Sequence, residues 1–414
     1  MSFPTSGQSW PALKAQMAEM RRGDVDWRNG RAPLHIYFAG ADVSEIVSEA
    51  YTMFMSENAL APAAFPSLAK MEQDVVGAAI GLFNGPPTAT GSMTSGGTES
   101  IILAAQSARD WAVSASRLGA GRPEVLMAET AHPAFDKAAR LLGLDVRRVP
   151  AGADYRADPQ SLEDAISDRT IFMVASVPSL PFGLIDRVED IAKIARRHDI
   201  WLHVDACLGG YIAPFAAKLG YPVPRFDFSI PGVRSISADL HKFGYAAKGA
   251  STLLFRARPS GGRRNGFAFA DWPKGSYDTP TLLGTRSGGA IAAAWAVIHY
   301  LGEQGYLGLT ERVMKLRERY LNGITGMQDL RLIAPPDLSI IAYASDTLDI
   351  SAVGDCLEKR HWYVSRIARP PGLHQTINLI HEPIVDDYLA DLASCVEEVR
   401  ANALVGSRLE VSCY

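Results

Sequence analysis

The stretch "TIFMVASVPSLPFGLIDRVEDIAKIARRHDIWLHVDA", residues 170–206, contains two short apolar runs separated by an amphipathic segment. The runs "TIFMVA" and "IWLHVDA" have the apolar, β-branched composition of strands that are buried on both faces of a sheet. The segment "VEDIAKIARRHD" between them carries apolar residues at helical spacing. This stretch therefore predicts two parallel strands joined by a crossover helix.

The same alternation continues on both sides of this stretch. Further strand-like runs are "EVLMA" (124–128), "DVRRV" (145–149), "RSISAD" (234–239) and "STLLFR" (251–256). After about residue 310, shorter runs such as "LSIIAYAS" and "TINLI" indicate a smaller α+β unit. We therefore expect an α/β fold with a helical N-terminal arm (1–60), a large domain with a mostly parallel sheet flanked by helices (61–310) and a small C-terminal α+β domain (311–414).

Composition excludes several classes of protein. The 414 residues carry a net charge of −4 without a long run of one sign, which argues against nucleic acid or an anionic membrane as partner. The longest apolar stretch, "GGAIAAAWAVIHYL", is too short to span a bilayer, and the N-terminus has no signal-peptide pattern. The four cysteines are scattered, so we expect no metal site, no disulfide framework and a cytoplasmic location.

Two segments are suited to hold parts of a flat, phosphorylated cofactor. In "TSGGTES" (94–100), Gly97 and Thr98 begin a predicted helix, where backbone N–H groups can bind a phosphate. A flexible turn with a Ser/Thr cap explains the same letters. His132 follows the strand "EVLMA" and could lie over an aromatic ring, although capping or core histidines also occur at such places.

Two further residues end predicted strands. Asp205 ends a very apolar strand, where a buried carboxylate needs a cationic partner such as a protonated ring nitrogen or an arginine. Lys242 follows "RSISAD", and a buried lysine there can lose its proton and attack a carbonyl; in a solvated loop it would be only a surface charge. Together with Gly97 and His132, these residues match pyridoxal 5′-phosphate (PLP) chemistry.

Several longer strings point to a family. They are "FNGPPTATGSMTSGGTES", "HPAFDKAA", "HVDACLGGYIAPF", "SISADLHKFGYAAKGAS", "DWPKGSYDTPTLLGTRSGGAIAAAWA" and "LEKRHWYVSRIARPPGLH". In these strings the chain resembles sphingosine-1-phosphate lyases, which are fold-type I PLP enzymes close to the group II decarboxylases. The resemblance implies a Schiff-base role for Lys242, a pyridine-binding role for Asp205 and ring stacking by His132. It also implies that four residues lie at the cofactor phosphate: Gly97, Thr98, Ser237 and His241.

The resemblance further implies a homodimer with shared active sites. Gly284 and Thr285 match positions where the neighbouring subunit completes the phosphate site. Lys248 matches a second lysine that helps to hold the substrate phosphate. Tyr37 matches an active-site tyrosine donated across the dimer, and Tyr277 matches another substrate-binding tyrosine.

One position departs from the family pattern. In "NALAPA" (58–63), Ala61 stands where the family has an active-site histidine. An alanine can neither bind phosphate nor move a proton, so the proton carrier is open among Tyr37, Lys248 and Lys242. Arg286, Arg366 and His374 are further candidates for contacts within the site.

The resemblance implies a PLP-dependent aldehyde-lyase. Its expected substrate is a phosphorylated long-chain amino alcohol such as sphingosine-1-phosphate, cleaved by a retro-aldol step through the Lys242 imine to an aldehyde and phosphoethanolamine. A PLP-dependent amino-acid decarboxylase is the alternative activity. A third reading is a PLP-binding protein that is catalytically weak and acts through a partner.

Overall fold

The computed structural model describes residues 3–33, 35–259 and 267–407. Its helices are α1 (Trp10–Met20), α2 (Ala41–Met53), α3 (Pro66–Leu82), α4 (Gly97–Ser114), α5 (Ala134–Leu142), α6 (Pro159–Asp164), α7 (Val188–Arg197), α8 (Ala213–Lys218), α9 (Gly288–Thr325), α10 (Ile350–Lys359) and α11 (Val385–Asn402). Its strands are β1 (Thr90–Thr94), β2 (Glu124–Ala128), β3 (Asp145–Val149), β4 (Thr170–Ser176), β5 (Trp201–Asp205), β6 (Val233–Ala238), β7 (Ser251–Phe255), β8 (Phe267–Phe269), β9 (Tyr277–Thr279), β10 (Arg331–Leu332), β11 (Ile340–Ala344), β12 (Ser365–Ala368) and β13 (Pro371–Thr376).

A seven-stranded sheet forms the centre of the molecule, in the order β1-β7-β6-β5-β4-β2-β3. Strands β3, β2, β4, β5 and β6 are parallel, whereas β7 is antiparallel to both β6 and β1. The mostly parallel α/β sheet expected from the sequence is thus confirmed. Because β7 runs the opposite way, its first residue lies at the edge where the other strands end.

Helices cover both faces of this sheet. Along β5, Leu202 belongs to the apolar cluster that contains Ile191 of α7, and Trp201 belongs to the opposite cluster with Leu103 of α4. Full burial of such side chains contributes about 1.5–3 kcal/mol each. With both faces covered, the carboxyl ends of the strands are where a ligand can reach the sheet.

The six strand-like runs predicted for the large domain are all strands in the structure, whereas "TINLI" (376–380) overlaps β13 only at Thr376. Strand β1, "TGSMT", was not predicted, because only Met93 in it is strongly apolar. The boundary predicted near residue 310 falls inside α9, which runs past it with one non-helical residue at Gly302. The division into arm, large domain and small domain stays a prediction.

The C-terminal part contains its own antiparallel sheet, in the order β10-β11-β13-β12. Its apolar core joins Tyr320 of α9, Val353 of α10 and Leu392 of α11. Strand β13 carries His374 toward the large sheet, where it contacts the carbonyl of Leu180. Within the described residues, none of the helices combines the length and apolar character that crossing a bilayer requires.

Candidate active site

A cavity of about 630 Å³ lies at the carboxyl edge of the large sheet. Loops that follow β1, β2, β5 and β6 bring their functional side chains into it. The structure thus brings together seven of the predicted site residues at one cavity: Tyr37, Gly97, Thr98, His132, Asp205, Lys242 and Lys248. His241, an eighth, lines the same cavity.

Lys242 is paired with a carboxylate that sequence reasoning missed. Asp239 is 2% exposed, and its Oδ2 lies 3.0 Å from Nζ of Lys242. Burial disfavours the ammonium form of Lys242, but the nearby charge of Asp239 outweighs it and raises the pKa of Lys242. Although burial opposes its ionisation, Asp239 has a lowered pKa because Lys242 and His241 attract its charge. Lys242 is therefore held as an ammonium until the cofactor arrives, which the sequence did not predict.

We expect Asp239→Asn to lower the pKa of Lys242, since it removes the charge that stabilises the ammonium. The variant apoprotein should then bind PLP covalently at lower pH, by about 1–3 pH units, the usual effect of one close opposite charge. The measurement is the rate of covalent capture against pH, followed by borohydride trapping and mass spectrometry. Asp136→Asn is the control, since Asp136 pairs with Arg148 and not with Lys242. An unchanged pH profile in Asp239→Asn contradicts the assignment.

Asp205 ends β5, and a chain of hydrogen bonds connects its carboxylate to the side chains of Ser237 and His203. Its Oδ1 accepts from the backbone N–H of Cys207 at 3.1 Å and lies 3.5 Å from Oγ of Ser237. His203 bridges the hydroxyls of Ser237 (3.1 Å) and Ser235 (2.9 Å), and its burial lowers its pKa to about 4. A neutral imidazole in this place adds no charge beside Asp205. The resemblance implied that Ser237 lies at the cofactor phosphate. In the structure its hydroxyl lies 3.5 Å from Oδ1 of Asp205.

His132 is fixed in the β2–α5 loop by its neighbours. Its Nδ1 accepts from the backbone N–H of Ala134 at 3.1 Å, and burial lowers its pKa, so the ring is neutral and suited to stacking. Arg148 donates from one guanidinium nitrogen to the carbonyls of Ala128, Glu129 and Ala131. That clamp holds the loop that presents His132 to the cavity.

The loop before α4 is shaped to receive an anion. Gly96 has φ +156°, and a Cβ on Gly97 would lie 2.7 Å from Sγ of Cys207, so only glycine lets the backbone approach this closely. His241 lies beside this loop, and its buried Nδ1 has no hydrogen-bond partner among the described residues. An unpaired buried ring nitrogen, which donates a hydrogen bond when it carries the imidazole proton, next to first-turn N–H groups fits the phosphate of PLP. With Asp205 for the ring nitrogen, His132 for the ring face and Lys242 for the aldehyde, the residues present fit the whole cofactor.

Glu99, in the first turn of α4, is another residue that sequence reasoning missed. Its buried carboxylate accepts from the backbone N–H and the hydroxyl of Ser95, both at 2.6 Å. Its other oxygen accepts from the backbone N–H groups of Leu282 (2.9 Å) and Leu283 (3.3 Å). Glu99 thereby ties the Gly-rich loop to the segment that precedes Gly284.

Lys248 occupies a different part of the cavity from Lys242. Its Nζ donates to the carbonyls of His35 (3.0 Å) and His241 (3.2 Å) and lies 5.2 Å from the ring centroid of Tyr37. Burial and repulsion from Lys242 lower the pKa of Lys248 to about 8. The resemblance implied that Tyr37 arrives from a neighbouring subunit, whereas here it lines the cavity of its own chain.

A second cavity of about 580 Å³ adjoins the first and reaches toward the small sheet. Both cavities are lined by His35, Tyr37, His132, Leu180, Leu208 and Lys242. Apolar side chains of Pro181, Phe182 and Ile367 extend its wall. His374 lines this second cavity, donates Nε2–H to the carbonyl of Leu180 at 2.8 Å, and has its pKa lowered by burial to about 4.

Three predicted site residues, Tyr277, Gly284 and Thr285, do not line the cavity that contains Lys242. Tyr277 lies next to Gly284, since a Cβ added to Gly284 would be 2.9 Å from Oη of Tyr277. The hydroxyl of Thr285 accepts a hydrogen bond from the side-chain amide of Asn58. Gly284 lines a separate cavity of about 490 Å³ with Ala59, Leu60 and Pro62, the residues around Ala61. Within one chain, these residues therefore do not join the cavity of Lys242.

The two candidate arginines are bound to acidic side chains. Arg286 pairs with Glu72 at 2.5 Å, and Arg366 pairs with Asp355 at 2.7 Å and Glu358 at 3.2 Å. Cys207 is buried, which raises its pKa far above the usual range of a thiol, and its Sγ packs 3.3 Å from the hydroxyl of Ser237.

Comparison with known proteins identifies the family. Residues 3–345 match the family model described as the pyridoxal-dependent decarboxylase conserved domain. The chain is 39% identical to the sphingosine-1-phosphate lyase of Oryza sativa, over 97% of this chain and 75% of that protein, and 35% identical to sphingosine-1-phosphate lyase 1 of Rattus norvegicus, over 97% and 70%.

Solved structures agree with these relatives. A sphingosine-1-phosphate lyase of Burkholderia pseudomallei superposes with a TM-score of 0.91 at 35% identity, covering 97% of this chain and 94% of that one. Glutamate decarboxylase of Lactobacillus brevis, at 18% identity and a TM-score of 0.84, shares the fold over 96% and 94%. Pyridoxal 5′-phosphate is accordingly the cofactor. The chain belongs to the pyridoxal-dependent decarboxylase family and, within it, to the sphingosine-1-phosphate lyases.

Proposed function

We propose that the protein is a PLP-dependent carbon–carbon lyase that cleaves a phosphorylated long-chain amino alcohol such as sphingosine-1-phosphate into an aldehyde and phosphoethanolamine. The observation that carries this proposal is the pair of adjoining cavities that meet at Lys242. One contains the cofactor residues and Lys248, and the other offers the apolar side chains of Pro181, Phe182 and Ile367 beside polar ones such as Arg366 and His374. A substrate with a charged head and an apolar chain can place its head near Lys248 and extend its chain past Pro181, Phe182 and Ile367.

Residues of this chain hold the cofactor and the substrate head. Lys242 provides the nitrogen for the cofactor aldehyde, and Asp205 provides the negative charge for the ring nitrogen. Bound PLP supplies an electron sink for the electron pair released when a bond at the amine-bearing carbon breaks. Lys248, with a pKa of about 8, is mostly an ammonium at neutral pH and supports binding of the substrate phosphate.

The chemistry of cleavage sets two proton requirements. The hydroxyl next to the amine-bearing carbon must lose its proton as its oxygen becomes the aldehyde carbonyl. The amine-bearing carbon must later gain a proton before phosphoethanolamine leaves. A positioned acid or base contributes about 10²- to 10⁴-fold to such a step.

A product assay tests this function. Holoenzyme is incubated with sphingosine-1-phosphate or with sphingosine, and the aldehyde, phosphoethanolamine and carbon dioxide are quantified. We expect aldehyde, with kcat/KM about 10- to 100-fold higher for the phosphorylated substrate, as one charged hydrogen bond of about 1.5–3 kcal/mol provides. Lys248→Gln should remove most of that preference.

Two outcomes would contradict the proposal. Equal cleavage of both substrates would show that the phosphate is not recognised. Carbon dioxide from amino acids, with no aldehyde from either amino alcohol, would support the decarboxylase alternative. Lys218→Gln is the control for loss of a lysine, since Lys218 is exposed and pairs with Glu303.

The proposal includes a homodimer located in the cytoplasm. Gly284 lines a cavity apart from Lys242 in its own chain, with Tyr277 beside it, which supports a role for this segment, including Thr285, in a second subunit's site. Four scattered cysteines without a CxxC spacing support a reducing compartment. Sedimentation of the holoenzyme measures the subunit number.

A further inference from the structure

His35 lies where the two cavities meet. It lines both of them, together with Lys242 and Tyr37, and its carbonyl accepts a hydrogen bond from Nζ of Lys248 at 3.0 Å. The sequence alone does not single it out, because nothing in "LHIYFAG" distinguishes a cavity histidine from a surface one. Its place at the junction is the place where the head of the proposed substrate continues into its chain.

The backbone around His35 is held from both parts of the molecule. The backbone N–H of Thr376 donates to the carbonyl of Pro33 at 2.9 Å, and Nδ2 of Asn378 donates to the carbonyl of Ile36 at 2.8 Å. Between these two contacts, Lys248 holds His35 itself. His35 has φ +67°, a left-handed conformation that is unfavourable for a residue other than glycine. Such strain persists where the surrounding contacts over-determine it, and it clusters at functional sites.

The charges facing His35 favour its neutral form. Burial, Lys248 and Lys242, in that order, lower the pKa of His35. From the small sheet it faces His374, which is neutral at physiological pH. At pH 7 the imidazole of His35 is therefore a base that can accept a proton.

Two neighbouring histidines and two lysines are less suited to that task. His132 uses Nδ1 to accept from Ala134, and its ring is the one available for stacking. His374, with a pKa of about 4, is too weak a base at neutral pH. Lys248 is mostly protonated at neutral pH, and Lys242 is held as an ammonium by Asp239.

We propose that the imidazole of His35 removes the hydroxyl proton of the substrate in the cleavage step. The O–H bond breaks, and its electron pair forms the aldehyde C=O bond. The carbon–carbon bond breaks, its electron pair passes to the electron sink, and the proton stays on His35. This role rests on the proposed function, and it assigns the base that the family pattern leaves open at Ala61.

The test is His35→Gln in the holoenzyme. We expect kcat for aldehyde release to fall by about 10²- to 10⁴-fold and the acidic limb of the kcat/KM profile to disappear. Covalent cofactor content and visible absorbance should not change. Exchange of the α-proton of phosphoethanolamine in D2O should also persist, since that reaction has no hydroxyl to deprotonate.

His361→Gln is the matched control. His361 is an exposed histidine with φ +65° that lines neither cavity. Its replacement therefore makes the same substitution at the same backbone conformation, but away from the active site. If wild-type protein releases aldehyde and His35→Gln equals it, the role of His35 is overturned and the proposed function stands. Loss of phosphoethanolamine exchange in His35→Gln would also overturn it, because the defect would then lie in the cofactor site. If wild-type protein releases no aldehyde, the proposed function fails, and the role of His35 fails with it.

Discussion

Lys242→Ala is expected to abolish covalent binding of PLP and to reduce kcat by on the order of 10⁴- to 10⁶-fold, the range found when a covalent nucleophile is removed. The reason is that Lys242 lines both cavities and carries the amine that the cofactor aldehyde requires. Alanine leaves space and no nucleophile, and it leaves Asp239 without its cationic partner. The variant should bind PLP reversibly and lose the visible absorbance of the covalent form.

The measurement is borohydride reduction of the holoenzyme followed by mass spectrometry of the modified peptide. Lys248→Ala is the matched control, since Lys248 is a second lysine of the same cavity, six residues further along the same loop. The control should keep the cofactor covalently attached and lose preference for the phosphate. A cofactor adduct on Lys248 in the wild-type protein, or on any residue in Lys242→Ala, is the result that would refute the assignment.

Asp205→Asn is expected to leave the covalent bond intact and to reduce kcat by about 10²- to 10³-fold, the usual cost of losing one preorganised electrostatic partner. Asparagine keeps the size of the side chain and removes the charge. At 8% exposure, water screens that charge poorly, so its loss is felt strongly at the ring nitrogen. The carbanion formed on cleavage then has a weaker electron sink.

The visible spectrum and the rate of aldehyde release should be measured on the same samples, so that attachment and catalysis are separated. Ser237→Ala removes the hydroxyl that lies between Asp205 and His203, and a smaller loss of about five- to tenfold is expected from one neutral hydrogen bond. Asp186→Asn is the control: Asp186 is equally buried but accepts from the backbone of Ala157 and Ser176. Equal activity of Asp205→Asn and wild type would exclude the proposed role of the charge.

The strands that carry the site could be predicted because their composition is extreme. In β4 and β5 every residue is buried, so most of the residues are apolar and each strand is recognised as a continuous apolar run. Strand β1 could not be predicted, because Thr90, Gly91 and Ser92 do not form an apolar run. The reversed direction of β7 had one available signal: the connection "DLHKFGYAAKGA" is too short and too glycine-rich for a crossover helix.

The site was predictable where each residue follows its own strand. Asp205, His132 and Lys242 stand just after apolar runs, and the ends of parallel strands meet at one edge. The partners of these residues were less accessible to sequence reasoning. Glu99 was hidden because its contacts with Leu282 and Leu283 join distant parts of the chain.

The protonation state of Lys242 was the other feature that could not be predicted from the sequence. A lysine after a buried strand was interpreted as one that loses its proton easily. The carboxylate of Asp239, three residues earlier, reverses that expectation because it faces Nζ in the folded protein. Which of two close effects wins, burial or an opposite charge, depends on a distance that the sequence does not contain.

The pairing of β1 with β7 bears on the order in which the protein folds. Thr94 pairs with Ser251, so the first strand of the sheet has no strand partner until most of the large domain has been synthesised. Contacts between residues this far apart in the chain form slowly, because a long loop must close before they gain any stability. The Gly-rich loop after β1 and the two lysines between β6 and β7 reach their positions in that same closing step. The cofactor site is therefore a late product of folding, and a nascent chain that ends before β7 has no place to bind PLP.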